Sequence, residues 1–61
     1  MKNKWFDMGR KEADEHFELD GLESISYCYR EYMNLIWCEK DLNELEYMKG
    51  YIDRANELWS Y

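Results

Sequence analysis

A chain of 61 residues forms one domain at most, and a domain this small buries only about 60% of the surface that its unfolded form exposes. The only β-branched residues are Ile25, Ile36 and Ile52, since Val and Thr are absent, so a sheet is excluded as the main architecture. The net charge of −6 argues against direct binding to nucleic acid, because phosphates repel an acidic protein.

Leu, Met, Glu, Lys and Arg dominate the composition, and these residues lose little side-chain freedom in a helix. We therefore predict a single all-α domain over residues 1–61. A short strand at residues 25–29 is the local alternative, because Ile25, Tyr27 and Tyr29 alternate with Ser26 and Cys28.

The first predicted helix runs from about Asn3 to Leu19. Its apolar face is expected to hold Trp5, Phe6, Gly9, Ala13, His16 and Phe17. Gly9 and Ala13 are small residues four positions apart, which would allow a neighbouring helix to approach closely. The alternative is that Gly9 is merely tolerated, at a cost of about 1 kcal/mol relative to Ala.

Asp20 and Gly21 are expected to end the first helix, with Asp20 and Glu23 in the spacing of a capping box. The second helix then runs through a segment, Leu22 to Cys38, that is apolar or aromatic in almost every direction. The side assigned to the core holds Leu22, Ile25, Tyr29, Tyr32, Met33 and Ile36. The opposite side holds residues of the types enriched in contact surfaces between proteins, namely Tyr27, Arg30, Asn34 and Trp37, together with Cys38.

The apolar series of the second helix fails at position 39, and a new series begins in a different phase with Leu45, Met48, Ile52, Ala55 and Trp59. Asp41 and Glu44 have the spacing of another capping box. These features favour a turn at residues 38–42 and a bundle of three helices. The alternative is a helical hairpin in which one long second helix continues through a phase shift.

Acidic residues are concentrated in residues 12–23, which carry six carboxylates and neither Lys nor Arg. Helices that are merely solvated usually intersperse the two signs of charge, so this run predicts a contact site for a basic protein surface. A solvated helix face is the alternative interpretation. The carboxylates assigned to the contact site are Glu12, Asp14, Glu15 and Glu18, with Glu46, Asp53 and Glu57 on the third helix.

His16 has Glu12 and Asp20 four residues away on either side, which is a possible start of a metal site. No third ligand stands at a fixed spacing, so we expect neither a metal nor another cofactor. No Ser, Cys or carboxylate stands beside His16 in a nucleophile pattern, and the chain has no Gly-rich phosphate loop. We therefore predict that the protein is not an enzyme.

The two cysteines, Cys28 and Cys38, would lie about 15 Å apart along one helix, too far to form a disulfide. Free thiols fit a reducing compartment, and the sequence shows neither a signal-peptide pattern nor an apolar segment long enough to span a membrane. These features predict a cytoplasmic protein without membrane contact.

Together these patterns predict a small acidic protein-binding module. A virus or mobile element could encode such a module to inhibit a host protein by occupying a basic surface, including one that normally holds nucleic acid. The alternative is a self-associating structural or regulatory subunit, a homodimer in which the spare face of the second helix meets its own copy. The predicted contact residues are Glu12, Asp14, Glu15, Glu18, Tyr27, Arg30, Asn34, Trp37, Glu46, Asp53 and Glu57.

Overall fold

A computed structural model describes residues 3–60, which form three α-helices: α1 (Lys4–Asp20), α2 (Leu22–Leu35) and α3 (Leu42–Trp59). The predicted all-α bundle of three helices is therefore confirmed, and the hairpin with one long second helix is wrong. Residues 36–38 turn, residues 39–41 have no regular secondary structure, and Asp41 has an extended backbone directly before α3. The alternative strand at residues 25–29 is also wrong, because this segment lies within α2.

Two of the helices begin with a side-chain cap. Asn3 accepts a hydrogen bond from the backbone N–H of Trp5 at 2.8 Å, and Asp41 accepts from the N–H groups of Asn43 at 2.8 Å and Glu44 at 3.3 Å. The predicted capping role of Asp41 is thus confirmed. The N–H of Asp41 donates to the carboxylate of Glu39 at 3.0 Å, so Glu39 takes the reciprocal part of the capping box that was predicted for Glu44.

The predicted capping role of Asp20 is wrong. Asp20 is the last residue of α1, and Gly21, with φ 67°, separates the two helices without a side-chain cap on α2. The N–H of Gly21 donates to the carbonyl of Phe17 at 2.8 Å, which closes the end of α1. Glycine carries the left-handed conformation at this turn, so Asp20 keeps its helical backbone and does not reach the capping position.

The closest helix pair is α1 with α3, and two glycines make the approach feasible. Gly9 lies against the backbone of Tyr47, and Gly50 lies against the backbone of Phe6. A Cβ atom on either glycine would overlap the facing carbonyl. The predicted close packing at Gly9 and Ala13 is confirmed, since both residues are buried.

The core draws most of its residues from α3. It consists of Ala13, Ile25, Met48, Tyr51, Ala55 and Leu58. Our expected series for the third helix is therefore partly wrong: Ile52 is only half-buried and Trp59 is 38% exposed, whereas Tyr51 and Leu58 point inward. The cause is the contact of Gly50 with α1. This contact turns α3 so that Tyr51 and Leu58 are buried in place of Ile52 and Trp59, which follow them by one position. Phe17, assigned to the apolar face of α1, is 40% exposed.

Aromatic contacts attach α2 to this pair. Ile25 is its only fully buried residue among those described, and the ring of Tyr32 packs edge-on against Tyr51, with centroids 5.0 Å apart. Tyr29 packs edge-on against Trp59 with centroids 4.8 Å apart. These contacts use one side of α2 and leave its opposite side facing outward. Among residues 3–60, no helix has the length and apolar character needed to cross a bilayer.

Candidate protein-binding surface

The outward face of α2 carries an open groove of about 350 Å³, which we call the α2 groove. Its lining residues are Glu23, Ser26, Tyr27, Arg30, Glu31 and Asn34. The structure therefore brings together three of the four contact residues predicted on this helix. The fourth, Trp37, lies in the turn after α2. Tyr27 is 69% exposed and Trp37 is 83% exposed, so neither contributes much to the core.

Three of the predicted acidic contact residues take part in an ion-pair cluster between α1 and α3. Asp14 accepts a hydrogen bond from Nε of Arg54 at 2.7 Å, and Asp53 pairs with Arg10. Glu57 lies between the two arginines, 2.8 Å from Nη2 of Arg10 and 2.8 Å from Nη1 of Arg54. These carboxylates are therefore paired within their own chain, and three carboxylates with two arginines leave the cluster a formal net charge of −1.

The protonation behaviour of the cluster follows from these bonds. Hydrogen bonds from Arg10 and then Arg54 lower the pKa of Glu57. The bond to Glu57 raises the pKa of Arg10, and the bond to Asp14 is the largest cause that raises the pKa of Arg54. The two arginines and Glu57 are thus ionised at neutral pH, and the cluster ties the middle of α1 to the last turns of α3.

The remaining predicted carboxylates are less engaged. Glu46 lies 3.6 Å from Nζ of Lys49 in an exposed pair, and Glu12 lies 3.4 Å from Nε2 of His16. Within residues 3–60, the carboxylates of Glu15, Glu18 and Asp20 form no ion pair. We call these three residues the acidic segment, and all three are exposed.

His16 contacts a buried tyrosine. Its Nδ1 lies 2.7 Å from the hydroxyl of Tyr51, whose side chain is fully buried. Burial is the main cause that raises the pKa of Tyr51, and also that of Tyr47, which lies close to the carboxylate of Glu12. The part of the chain that the structure describes contains no group of three or more His, Cys, Asp or Glu residues placed to hold a metal ion. His16 satisfies the polar end of a core residue.

The sequence interpretation missed Arg10 and Arg54 as partners of the acidic residues. Arg54 lies 40 positions from Asp14, and Arg10 lies 47 positions from Glu57, so a count of nearby charges could not find them. One sequence feature could have indicated these ion pairs: Arg10 is next to Gly9 and Arg54 is next to Ala55, at the close contact between α1 and α3. Such arginines reach across to the facing helix.

No protein-family model, curated protein or solved structure matches this chain. The candidate surface is therefore defined by its geometry: a groove on the outward face of α2 and an acidic segment without intramolecular cations among the described residues.

Proposed function

We propose that this chain is a small acidic protein-binding module that occupies a basic surface of a partner protein through its acidic segment. The observation that carries the proposal is the contrast among its carboxylates. Asp14, Asp53 and Glu57 have arginine partners within the fold, whereas Glu15 and Glu18 on α1 are exposed and form no ion pair among the described residues.

The electrostatic argument follows from that contrast. Charges that are already paired contribute little to the field outside the protein, whereas exposed carboxylates steer an oppositely charged surface into contact. Glu15 and Glu18 lie one turn apart on α1, and Asp20 follows in its last turn. The partner predicted by this chemistry is a protein surface rich in Lys and Arg.

A binder of this kind acts by occupation. A basic surface that normally holds nucleic acid would be blocked by the acidic segment, and the chain would then inhibit its partner without catalysing a reaction. The proposal favours a protein encoded by a virus or a mobile element that acts as an inhibitor in the cytoplasm of its host.

The experiment is affinity capture from a host lysate with the wild type and with Glu15→Lys/Glu18→Lys. Each substitution raises the net charge by two, so the double variant carries −2 in place of −6. We expect the wild type to retain a basic protein that the variant loses, and added salt to release it.

The matched control is Asp7→Lys/Glu44→Lys, which makes the same change of net charge at exposed positions outside the acidic segment. This control should still capture the basic protein. Equal loss in both double variants would show that only the overall charge matters and would contradict the assignment of the acidic segment. Equal retention in both would contradict the electrostatic mechanism.

A second candidate function, self-association, is favoured by the α2 groove. Its lining residues carry both signs of charge, since Arg30 lies among them together with Glu23 and Glu31. The groove therefore differs from the acidic segment and offers the mixed charges that two copies of one surface can pair with each other.

A further inference from the structure

We infer that the α2 groove is the contact site for a second copy of this chain, with the two α2 helices antiparallel across a two-fold axis. This inference rests on the second candidate function, self-association, and specifies its contact residues and orientation; it uses a different surface from the acidic segment. The acidic segment stays outside the contact and would be presented twice by the dimer.

Four side chains form the proposed seam, which consists of Glu23, Tyr27, Arg30 and Asn34. Their spacing of four, three and four residues places them along one stripe of α2, the spacing by which two helices pack side by side. All four line the groove and all four are exposed. No described contact within the chain covers Tyr27, whose ring is 69% exposed.

The seam is complementary to itself when the helices are antiparallel. With the axis midway between positions 27 and 30, Tyr27 faces Arg30 of the second copy and Glu23 faces Asn34 of the second copy. A guanidinium over a tyrosine ring is a favourable cation–π contact, and it would occur twice. The amide of Asn34 would donate a hydrogen bond to the facing carboxylate of Glu23, also twice.

A parallel arrangement lacks this complementarity. It would place Arg30 against Arg30 and Glu23 against Glu23, and like charges directly opposite each other are repulsive. The charges of the seam therefore select the antiparallel orientation. Because all four seam residues carry polar groups, the dimer should be reversible and should form as the protein concentration rises.

The first test is sedimentation equilibrium of the full chain from micromolar to millimolar concentration. The wild type is expected to form a monomer–dimer equilibrium in this range. Tyr27→Ala and Arg30→Glu should each weaken it about tenfold or more, as expected for a central aromatic or Arg contact. Leu42→Ala is the matched control, since Leu42 is 74% exposed but lies outside the seam, and it should dimerise like the wild type.

Circular dichroism of each variant separates loss of the dimer from loss of the fold. Because Tyr27 and Arg30 are exposed, both variants should keep the helical spectrum and the thermal unfolding of the monomer. A wild type that stays monomeric at millimolar concentration would overturn the inference. So would a dimer that is weakened equally by Leu42→Ala. Neither result bears on the acidic segment, which capture tests separately.

The second test fixes the orientation. Glu23→Cys and Asn34→Cys are prepared separately in a Cys28→Ala/Cys38→Ser background, mixed, and oxidised gently. From equal amounts, random pairing already gives the mixed disulfide in about twofold excess over each disulfide between like positions. The antiparallel seam predicts a larger excess of the disulfide between positions 23 and 34, and a mixture at the random ratio would overturn it. An excess of the disulfides between like positions would contradict the proposed pairing.

Discussion

The hydroxyl of Tyr51 lies 2.7 Å from Nδ1 of His16 and joins α3 to α1 at the centre of the bundle. Burial raises the pKa of Tyr51, so the hydroxyl keeps its proton through the neutral range. The hydroxyl of Tyr51 can therefore donate to Nδ1 of His16, and the opposite ring nitrogen lies 3.4 Å from the carboxylate of Glu12. The fully buried ring thus has a polar partner for its only polar atom.

Removing this hydroxyl should destabilise the fold. We expect Tyr51→Phe to lower the free energy of unfolding by about 1 kcal/mol, the usual net contribution of one hydrogen bond. Urea unfolding followed by circular dichroism measures the change. Tyr29→Phe is the control, because its 3.3 Å bond to Asn56 is exposed and should cost less. Equal effects would show that the contact with His16 has no special role.

Alkaline pH should unfold the protein. The pKa values of Tyr32, Tyr47 and Tyr51 are raised in the folded state, chiefly by burial, whereas unfolded tyrosines titrate near pH 10. Above that pH the unfolded chain loses protons that the folded chain retains, so the free energy of unfolding falls as the pH rises. Unfolding should coincide with the absorbance change of tyrosinate. Tyr51→Phe should flatten this dependence, whereas an unchanged slope would contradict it.

The glycines of the α1–α3 contact should tolerate no side chain. We expect Gly9→Ala and Gly50→Ala each to lower the free energy of unfolding by about 1–3 kcal/mol, because the added methyl group overlaps the facing backbone. The sign of the change in unfolding free energy distinguishes a close helix contact from an exposed helix position. In an exposed helix the same substitution is favourable by about 1 kcal/mol, so stabilisation at either site would contradict the close approach.

Gly21→Ala is the comparison for this pair. Its Cβ would meet no atom within 4 Å, but φ of 67° is strained for alanine. The expected loss is about 1–2 kcal/mol, from the backbone alone. Combining Gly21→Ala with Gly9→Ala should give additive losses, since one acts through the turn and the other through the helix contact.

The ion-pair cluster should make stability dependent on salt. Arg54→Gln removes the bonds to Asp14 and Glu57 and should lower the melting temperature at low ionic strength. The difference from the wild type should shrink as salt screens the remaining charges. Lys49→Gln, which removes only an exposed 3.6 Å pair, should have a smaller effect. A difference independent of salt would instead indicate lost packing of the Arg54 side chain.

Local sequence patterns predicted the three helices and some of the residues at which they begin or end. Asp41 caps α3 as its spacing with Glu44 indicated, and the small residues Gly9 and Ala13 mark the close helix contact. The end of α1 was harder, because Asp20 has the right side chain for a cap, yet the conformation of Gly21 decides where the chain turns. Short-range patterns therefore locate helices better than they locate the residue at which each one ends.

Tertiary packing decided the features that the sequence could not show. The buried face of α3 passes through Tyr51 because Gly50 lies against α1, and this choice leaves Ile52 half-buried. The acidic run of residues 12–23 contains neither Lys nor Arg, yet Asp14 pairs with Arg54 on another helix. The exposure of Tyr27, in contrast, followed directly from helical periodicity.

The most direct measurement compares folding and binding in a single variant, Glu15→Lys/Glu18→Lys/Tyr27→Ala. None of these exposed side chains forms an ion pair or a core contact within residues 3–60. We expect an unfolding free energy within about 0.5 kcal/mol of the wild type, as for ordinary surface substitutions, together with loss of both partner capture and dimer formation. A variant that unfolds, or that folds and keeps both interactions, would contradict the claim that these surfaces serve binding and not the fold.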